Sequence, residues 1–233
     1  DGRWEAFVKN HDLHLRNRKS GNEVPLSRGG TEAFEWSDRV FWSPDGSKLV
    51  ALRTRGGGKR RIHMVQSSPG DQLQPKLLSR NYLKPGDKIP LTLPHLFDVK
   101  AGREISVPDK LFSNPWRMKE VRWAADSGHF TFRYNQRGHQ VLRLIRVEAN
   151  SGTPRVVIEE SGPTFIDYAY KQFLFYLDKT DELVWMSERD GWNHLYLLDA
   201  TSGAVKNQVT RGEWVVRGVD RVDPESRQIW FRA

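Results

Sequence analysis

The chain has 233 residues, of which 37% are hydrophobic and 28% charged, with a formal net charge of +8. That length suits one large all-β domain or two small ones, and no window approaches the roughly 18 consecutive apolar residues that a membrane-spanning helix needs. The absence of Cys excludes disulfides and Cys-ligated metal sites, while 9 Trp and 11 Phe favour strands and sheet interfaces.

Residues 4–8 and 13–16 are short alternating runs joined by Asn10-His11-Asp12, a turn follows at residues 18–22, and residues 23–27 form a third run. Asp1-Gly2-Arg3 reads as the tail of a turn that belongs to a longer unit. Arg28-Gly29-Gly30 breaks the pattern, and Phe41-Trp42-Ser43-Pro44-Asp45-Gly46-Ser47 restarts it as a strand end and a Pro-Asp-Gly turn. Strands are expected at residues 48–53 and 61–66, the second as the next strand of the same unit. Between them, Arg53-Thr54-Arg55-Gly56-Gly57-Gly58-Lys59-Arg60-Arg61 is the one dense basic cluster. Its Gly-rich centre and lack of interleaved aromatic residues read as a solvated turn rather than a phosphate-binding patch, and no nucleic-acid partner is expected.

Residues 67–94 hold Pro69, Gly70, Pro75, Pro85, Gly86, Pro90 and Pro94, a density that is expected to prevent long regular strand or helix. We read this stretch as an insertion within one enlarged unit, either a binding surface or a covering loop. A hairpin is expected at residues 96–107. Val121-Arg122-Trp123-Ala124-Ala125-Asp126-Ser127-Gly128 then repeats the restart, followed by strands at residues 130–134, 141–147 and 155–159.

Val184-Trp185-Met186, the polar turn Ser187-Glu188-Arg189-Asp190-Gly191 and the alternating run of residues 192–197 make a strong hairpin signal, with a further strand at residues 204–210. A weaker restart lies at residues 219–226. The Asp45 and Asp126 turns are 81 residues apart, about twice a period near 40, which is the repeat length of four-stranded β-propeller blades. Such units bury their faces only against neighbours. The expected fold is therefore all-β, a β-propeller fragment of repeated antiparallel four-stranded blades, about three full ones plus partial ones. The expected boundaries are a partial blade at residues 1–30, a blade at 31–115 that carries the 67–94 insertion, blades at 116–163 and 164–213, and the start of another at 214–233.

Several motifs carry a family resemblance: Trp42-Ser43-Pro44-Asp45-Gly46; Tyr134-Asn135-Gln136-Arg137-Gly138-His139-Gln140; Thr164-Phe165-Ile166-Asp167-Tyr168; Trp185-Met186-Ser187-Glu188-Arg189-Asp190-Gly191-Trp192-Asn193-His194-Leu195-Tyr196; and Gly212-Glu213-Trp214-Val215-Val216. With them, nearly the whole chain resembles the N-terminal β-propeller region of dipeptidyl peptidase IV-like serine peptidases of the prolyl oligopeptidase clan. The resemblance implies a propeller that caps an α/β-hydrolase domain, a Ser-Asp-His triad in that domain, and release of dipeptides from peptide N-termini. It further implies a peptide substrate bound through the parent enzyme, a homodimer and export to the periplasm or the outside.

The chain itself has no Gly-x-Ser-x-Gly nucleophile elbow, so no catalytic residue is assigned to it. In the family, propeller carboxylates bind the substrate's free amino terminus and lie about ten residues before the Trp-Ser-Pro turn. Here Glu32 and Glu35 precede Trp42 in that region, with Thr31 in place of an adjacent partner, and these two are the substrate-binding candidates. An exposed acidic loop is the plainer reading of both. Glu159-Glu160 is an adjacent pair at a different place in its repeat.

His139 beside Arg137 and Gln140, and Arg189-Asp190 near His194, are read as turn and sheet chemistry. His11 and His14 would point to opposite faces of a strand, and neither a metal nor a cofactor is expected. The other functional class weighed is a free-standing β-propeller used as a protein-interaction scaffold. A reading frame that continues into an α/β-hydrolase would separate the two.

Overall fold

The computed structural model describes residues 2–233, so the turn expected at Asp1-Gly2-Arg3 begins outside the described residues. The chain divides into two compact units, residues 1–40 with 50–104 and residues 41–49 with 105–233.

In the first unit, β1 (Trp4–Lys9), β2 (Asp12–Asn17) and β3 (Glu23–Pro25) form an antiparallel meander over the buried Leu13, Leu15 and Leu26. Asn10 and His11 both take positive φ, 52° and 65°, as a two-residue hairpin turn of matching twist requires. His14 packs its ring on Phe7 with centroids 5.7 Å apart, whereas His11 is exposed in the turn.

Next come β4 (Phe34–Trp42), β5 (Lys48–Arg55), β6 (Arg61–Gln66), β7 (Lys76–Asn81), β8 (Leu91–Asp98) and β9 (Arg103–Ile105). The four-stranded sheet has the order β4-β5-β8-β9, and β6 pairs only with β7. This corrects one expectation. The run at residues 61–66 is not the next strand of its blade. The Pro/Gly-rich stretch holds one short strand of six residues, β7, between irregular segments and leads into β8. Its prolines fall outside residues 76–81, so none removes a ladder donor there.

The excursion starts at the glycine run. Gly58 N–H donates to the Lys88 carbonyl at 2.6 Å, and a Cβ on Gly57 would stand 2.7 Å from that same oxygen. The basic cluster therefore forms a neck where two chain segments touch, and at Gly57 no larger residue would fit without a shift.

In the second unit, β10 (Pro115–Trp123), β11 (His129–Gln136), β12 (Val141–Glu148) and β13 (Pro154–Ser161) form one four-stranded antiparallel sheet. A second comprises β14 (Leu174–Leu177), β15 (Glu182–Ser187), β16 (His194–Asp199) and β17 (Val205–Gln208), with one 3-10 turn at Asp178–Thr180. The hairpin of β18 (Gly218–Asp223) and β19 (Gln228–Arg232) follows. Leu142, Leu144, Val157 and Ile158 of the first sheet pack on Leu183, Trp185, Tyr196 and Leu198 of the second. The other face of that second sheet presents Val184, Met186, Leu195 and Leu197 to Val216, Val219, Val222 and Ile229. Both faces are thus covered, which is why every residue of β15 is buried.

The repeated restart turns bond to each other. The Asp45 backbone N–H donates to Ser127 Oγ at 3.1 Å, and Trp123 Nε1 donates to the Phe41 carbonyl at 2.9 Å. Ser127 occupies the place of Gly46 and takes the same left-handed conformation, φ 60° against 68°. Within the first turn Asp45 accepts from the Ser43 hydroxyl at 2.6 Å and the Ser47 N–H at 3.0 Å, and these bonds hold its carboxyl down at about 2.

Candidate functional site

The two carboxylate candidates sit where β4 begins. Phe34 N–H donates to the Thr31 carbonyl at 2.8 Å, closing a turn whose tip carries Glu32. The Glu32 side chain is 79% exposed and lies 3.8 Å from Lys59 Nζ. Glu35 is the second residue of β4 and is exposed.

Trp36, buried next to it, fixes the strand. Its ring meets His95 edge-on at 5.0 Å and Phe97 at 5.5 Å, and the Arg53 guanidinium lies over it at 5.1 Å. Because side chains alternate along a strand, anchoring Trp36 inward turns Glu35 outward. The site is thus two open carboxylates beside a cation, held by an aromatic anchor.

The adjacent pair Glu159-Glu160 is engaged elsewhere. Glu159 takes Arg143 at 2.6 Å, and Glu160 accepts from Trp185 Nε1 at 3.0 Å and from Arg189 at 2.6 Å. Glu160, Lys171, Met186 and Arg189 help to line a cleft of about 320 Å³.

The structure does not bring Arg189, Asp190 and His194 together as one site. Arg189 points to Glu160 and stacks over Tyr196 at 4.8 Å, while Asp190 accepts from Trp192 N–H and Gln208. His194 is fully buried. Its Nε2 meets the Gly212 carbonyl at 2.9 Å and its Nδ1 the Thr210 hydroxyl at 3.0 Å. A carbonyl only accepts, so Nε2 donates to Gly212. No carboxylate orients this pair as a hydrolytic triad would require.

The resemblance-bearing motifs meet in space. Asn193 Nδ2 donates to the Val216 carbonyl at 2.6 Å and Val216 N–H to the Asn193 carbonyl at 2.8 Å. Trp214 stands edge-on to His194 at 4.9 Å, so the Trp192-Asn193-His194 motif clamps the segment at residues 212–216. Likewise the His139 ring stacks on Tyr168 at 3.9 Å, Ile166 N–H donates to the His139 carbonyl at 2.7 Å, and Gln140 donates to the Pro163 carbonyl at 2.9 Å. Burial lowers the His139 pKa. The histidines of these motifs hold loops against sheets. Among the described residues, no group of three or more His, Asp or Glu gathers as a metal site, and no helix is long and apolar enough to cross a membrane.

Two charged groups escaped the sequence reading. Glu182 is buried and accepts from Lys206 at 2.5 Å, Arg227 at 2.8 Å and Thr180 at 2.7 Å, which holds it at about 2. Arg133 is buried on β11 against Glu120 at 2.5 Å. The signal for Arg133 was the alternation Thr131, Arg133, Asn135 between Phe130, Phe132 and Tyr134, which marks a strand buried on both faces with one face polar.

The model of the dipeptidyl peptidase IV (DPP IV) N-terminal region matches residues 1–233. The chain belongs to that family. Dipeptidyl peptidase 4 of Arthroderma otae is 26% identical to this DPP IV N-terminal region over 246 residues, covering 97% of the chain and 32% of the relative. Dipeptidyl peptidase 4 of Trichophyton rubrum is 26% identical over 247 residues, with the same two shares. The chain thus spans about a third of the length of these curated relatives. The crystal structure of Porphyromonas gingivalis dipeptidyl peptidase 4 superposes with a TM-score of 0.76 at 20% identity, covering 99% of this chain and 34% of that one. That likeness concerns the fold. With its three four-stranded sheets, this DPP IV N-terminal region is an all-β propeller fragment, as its repeats led us to expect.

Proposed function

We propose that this chain is the non-catalytic propeller portion of a dipeptidyl peptidase IV-like serine exopeptidase. It gates access to a separate α/β-hydrolase domain and helps to hold the free amino terminus of the peptide substrate. The observation that carries this reading is the family match over residues 1–233, beside relatives of which the chain spans 32%. On this reading the triad lies outside these residues.

Glu32 and Glu35 are the groups proposed to meet the substrate ammonium. Their accessibility supports the role. An exposed pair such as Glu32–Lys59 is worth only about 0–1 kcal/mol, so a substrate cation can replace the lysine at small cost. Purified residues 1–233 are expected to show no turnover of a Gly-Pro chromogenic substrate. In the whole protein, changing Glu32→Gln and Glu35→Gln together is expected to raise KM about ten- to hundred-fold with a smaller change in kcat, the sign of lost ground-state binding. Serine-inhibitor-sensitive hydrolysis by residues 1–233 would overturn the first statement, and an unchanged KM the second.

The β6–β7 hairpin supports a further element, a contact between two copies of the protein. Val65 opposite Leu77 and Met64 opposite Leu78 are 67%, 71%, 37% and 43% exposed, and an isolated two-stranded hairpin is at best marginal in water. Val65→Asp with Leu77→Asp is expected to convert a dimer to a monomer by light scattering, with little change in melting temperature. A wild-type protein that is monomeric at micromolar concentration would remove this element.

A further inference from the structure

The polar face of β11 holds an imbalance. The Arg133 side chain is 5% exposed and spends one nitrogen, Nη2, on Glu120. Its Nε and Nη1 are buried and have no hydrogen-bond partner, and the same is true of Asn135 Nδ2 and Gln172 Nε2. Arg133, Asn135 and Gln172 line one cavity of about 20 Å³. The Asn135 amide is oriented by its Oδ1, which faces His139 Nδ1 at 2.7 Å, so its Nδ2 is the end left over. Orphaned donors are rare in folded interiors, and four of them on the side chains that line one small cavity are a pattern rather than an accident.

The surrounding charge has one sign. In the antiparallel register Lys119 stands opposite Arg133 and Arg117 opposite Asn135, and both also line the cavity. Cross-strand partners share a face, so three cations converge against the single carboxylate of Glu120, which is itself 45% exposed. Burial, followed by the charge of Arg133, lowers the pKa of the Lys119 amine.

The size of the cavity admits one water molecule or one monatomic ion, since a water needs roughly 10–15 Å³ by this measure. Chemistry separates the two. All four open groups donate. A water can accept only two of those hydrogens, whereas a halide accepts from all of them. We propose that this seam is a monatomic anion site, occupied by chloride, in which Arg133, Asn135 and Gln172 supply the donors. The ion would tie β10 and β11 to Gln172, two residues before β14, and so lock one blade to the next. This site is independent of the peptidase reading.

The test uses the protein that carries this chain, purified in sodium gluconate and titrated with chloride or bromide at constant ionic strength. A saturable, halide-specific rise in melting temperature is expected. Crystals soaked in bromide are expected to show an anomalous peak within hydrogen-bonding distance of Arg133 Nη1. Gln172 lies outside any strand and is half-buried, so Gln172→Leu removes one donor while leaving the Arg133–Glu120 pair intact. It is expected to weaken the chloride midpoint at least ten-fold, with the melting temperature in gluconate almost unchanged. An equal response to gluconate and halide, a water in place of the bromide peak, or an unshifted midpoint in Gln172→Leu would each overturn the site.

Discussion

Trp185→Ala is expected to destabilise the protein by about 4 kcal/mol, at the upper end for a single core truncation. Trp185 is 1% exposed and belongs to the cluster joining Leu142, Leu144, Val157 and Ile158 to its own sheet. Its loss opens a cavity the size of an indole. It also takes a donor from Glu160 and leaves that carboxylate its bond to Arg189. Urea denaturation at neutral pH reads the cost. Trp185→Phe keeps most of the volume and loses the Nε1 bond, so it should fall well below the alanine variant. A loss under about 1 kcal/mol for Trp185→Ala would mean that the two sheets do not depend on this contact.

Glu182→Gln is the second large effect, expected to cost about 2 kcal/mol near neutral pH, where the variant gives up charge-assisted bonds to Lys206 and Arg227. These bonds, with that to Thr180, lower the Glu182 carboxyl from 4.5 to about 2. A carboxyl depressed in the folded state stabilises fully above its unfolded pKa, and that stabilisation is lost as pH falls through the folded value. The wild type should therefore lose stability from about pH 4.5 down towards 2, and the variant should lose less over the same range. Asp45 titrates low as well, at about 2, so the difference between the two proteins carries the information. Parallel stability curves for wild type and variant would show that Glu182 is not the group responsible.

Much of the fold was legible because its signals are local. Pro44-Asp45-Gly46 and Asp190-Gly191 mark turns by backbone chemistry that needs no knowledge of the partner sheet, and Gly46 and Gly191 take the expected positive φ of 68° and 93°. Where pairing is decided at longer range, the reading slipped. Nothing within residues 61–66 says whether they continue the blade or fold out, since a hairpin with β7 satisfies the same alternation. The run at residues 192–197 alternates apolar and polar residues, yet β16 starts at His194 and buries that histidine completely. Its polarity answers Thr210 and Gly212, more than a dozen residues further on.

The candidate site was legible in a different way. Glu32 and Glu35 came from a motif position, and the structure adds that both are open and that Trp36 fixes the strand behind them. Arg133 and Glu182 were missed because a buried ion pair depends on which residues face each other across strands, and single-residue types do not encode that.

The glycine neck bears on how freely this chain can change. A connection between neighbouring strands of a blade normally pays an ordering entropy that grows with its length. Here β5 and β8 are bridged at Gly58 and Lys88, so the blade closes over a short link whatever hangs beyond it. Closure of the sheet then rests on that link rather than on the length of the excursion. The excursion can lengthen, shorten or exchange its surface over evolutionary time without renegotiating the blade, provided that Gly57 at its root is kept.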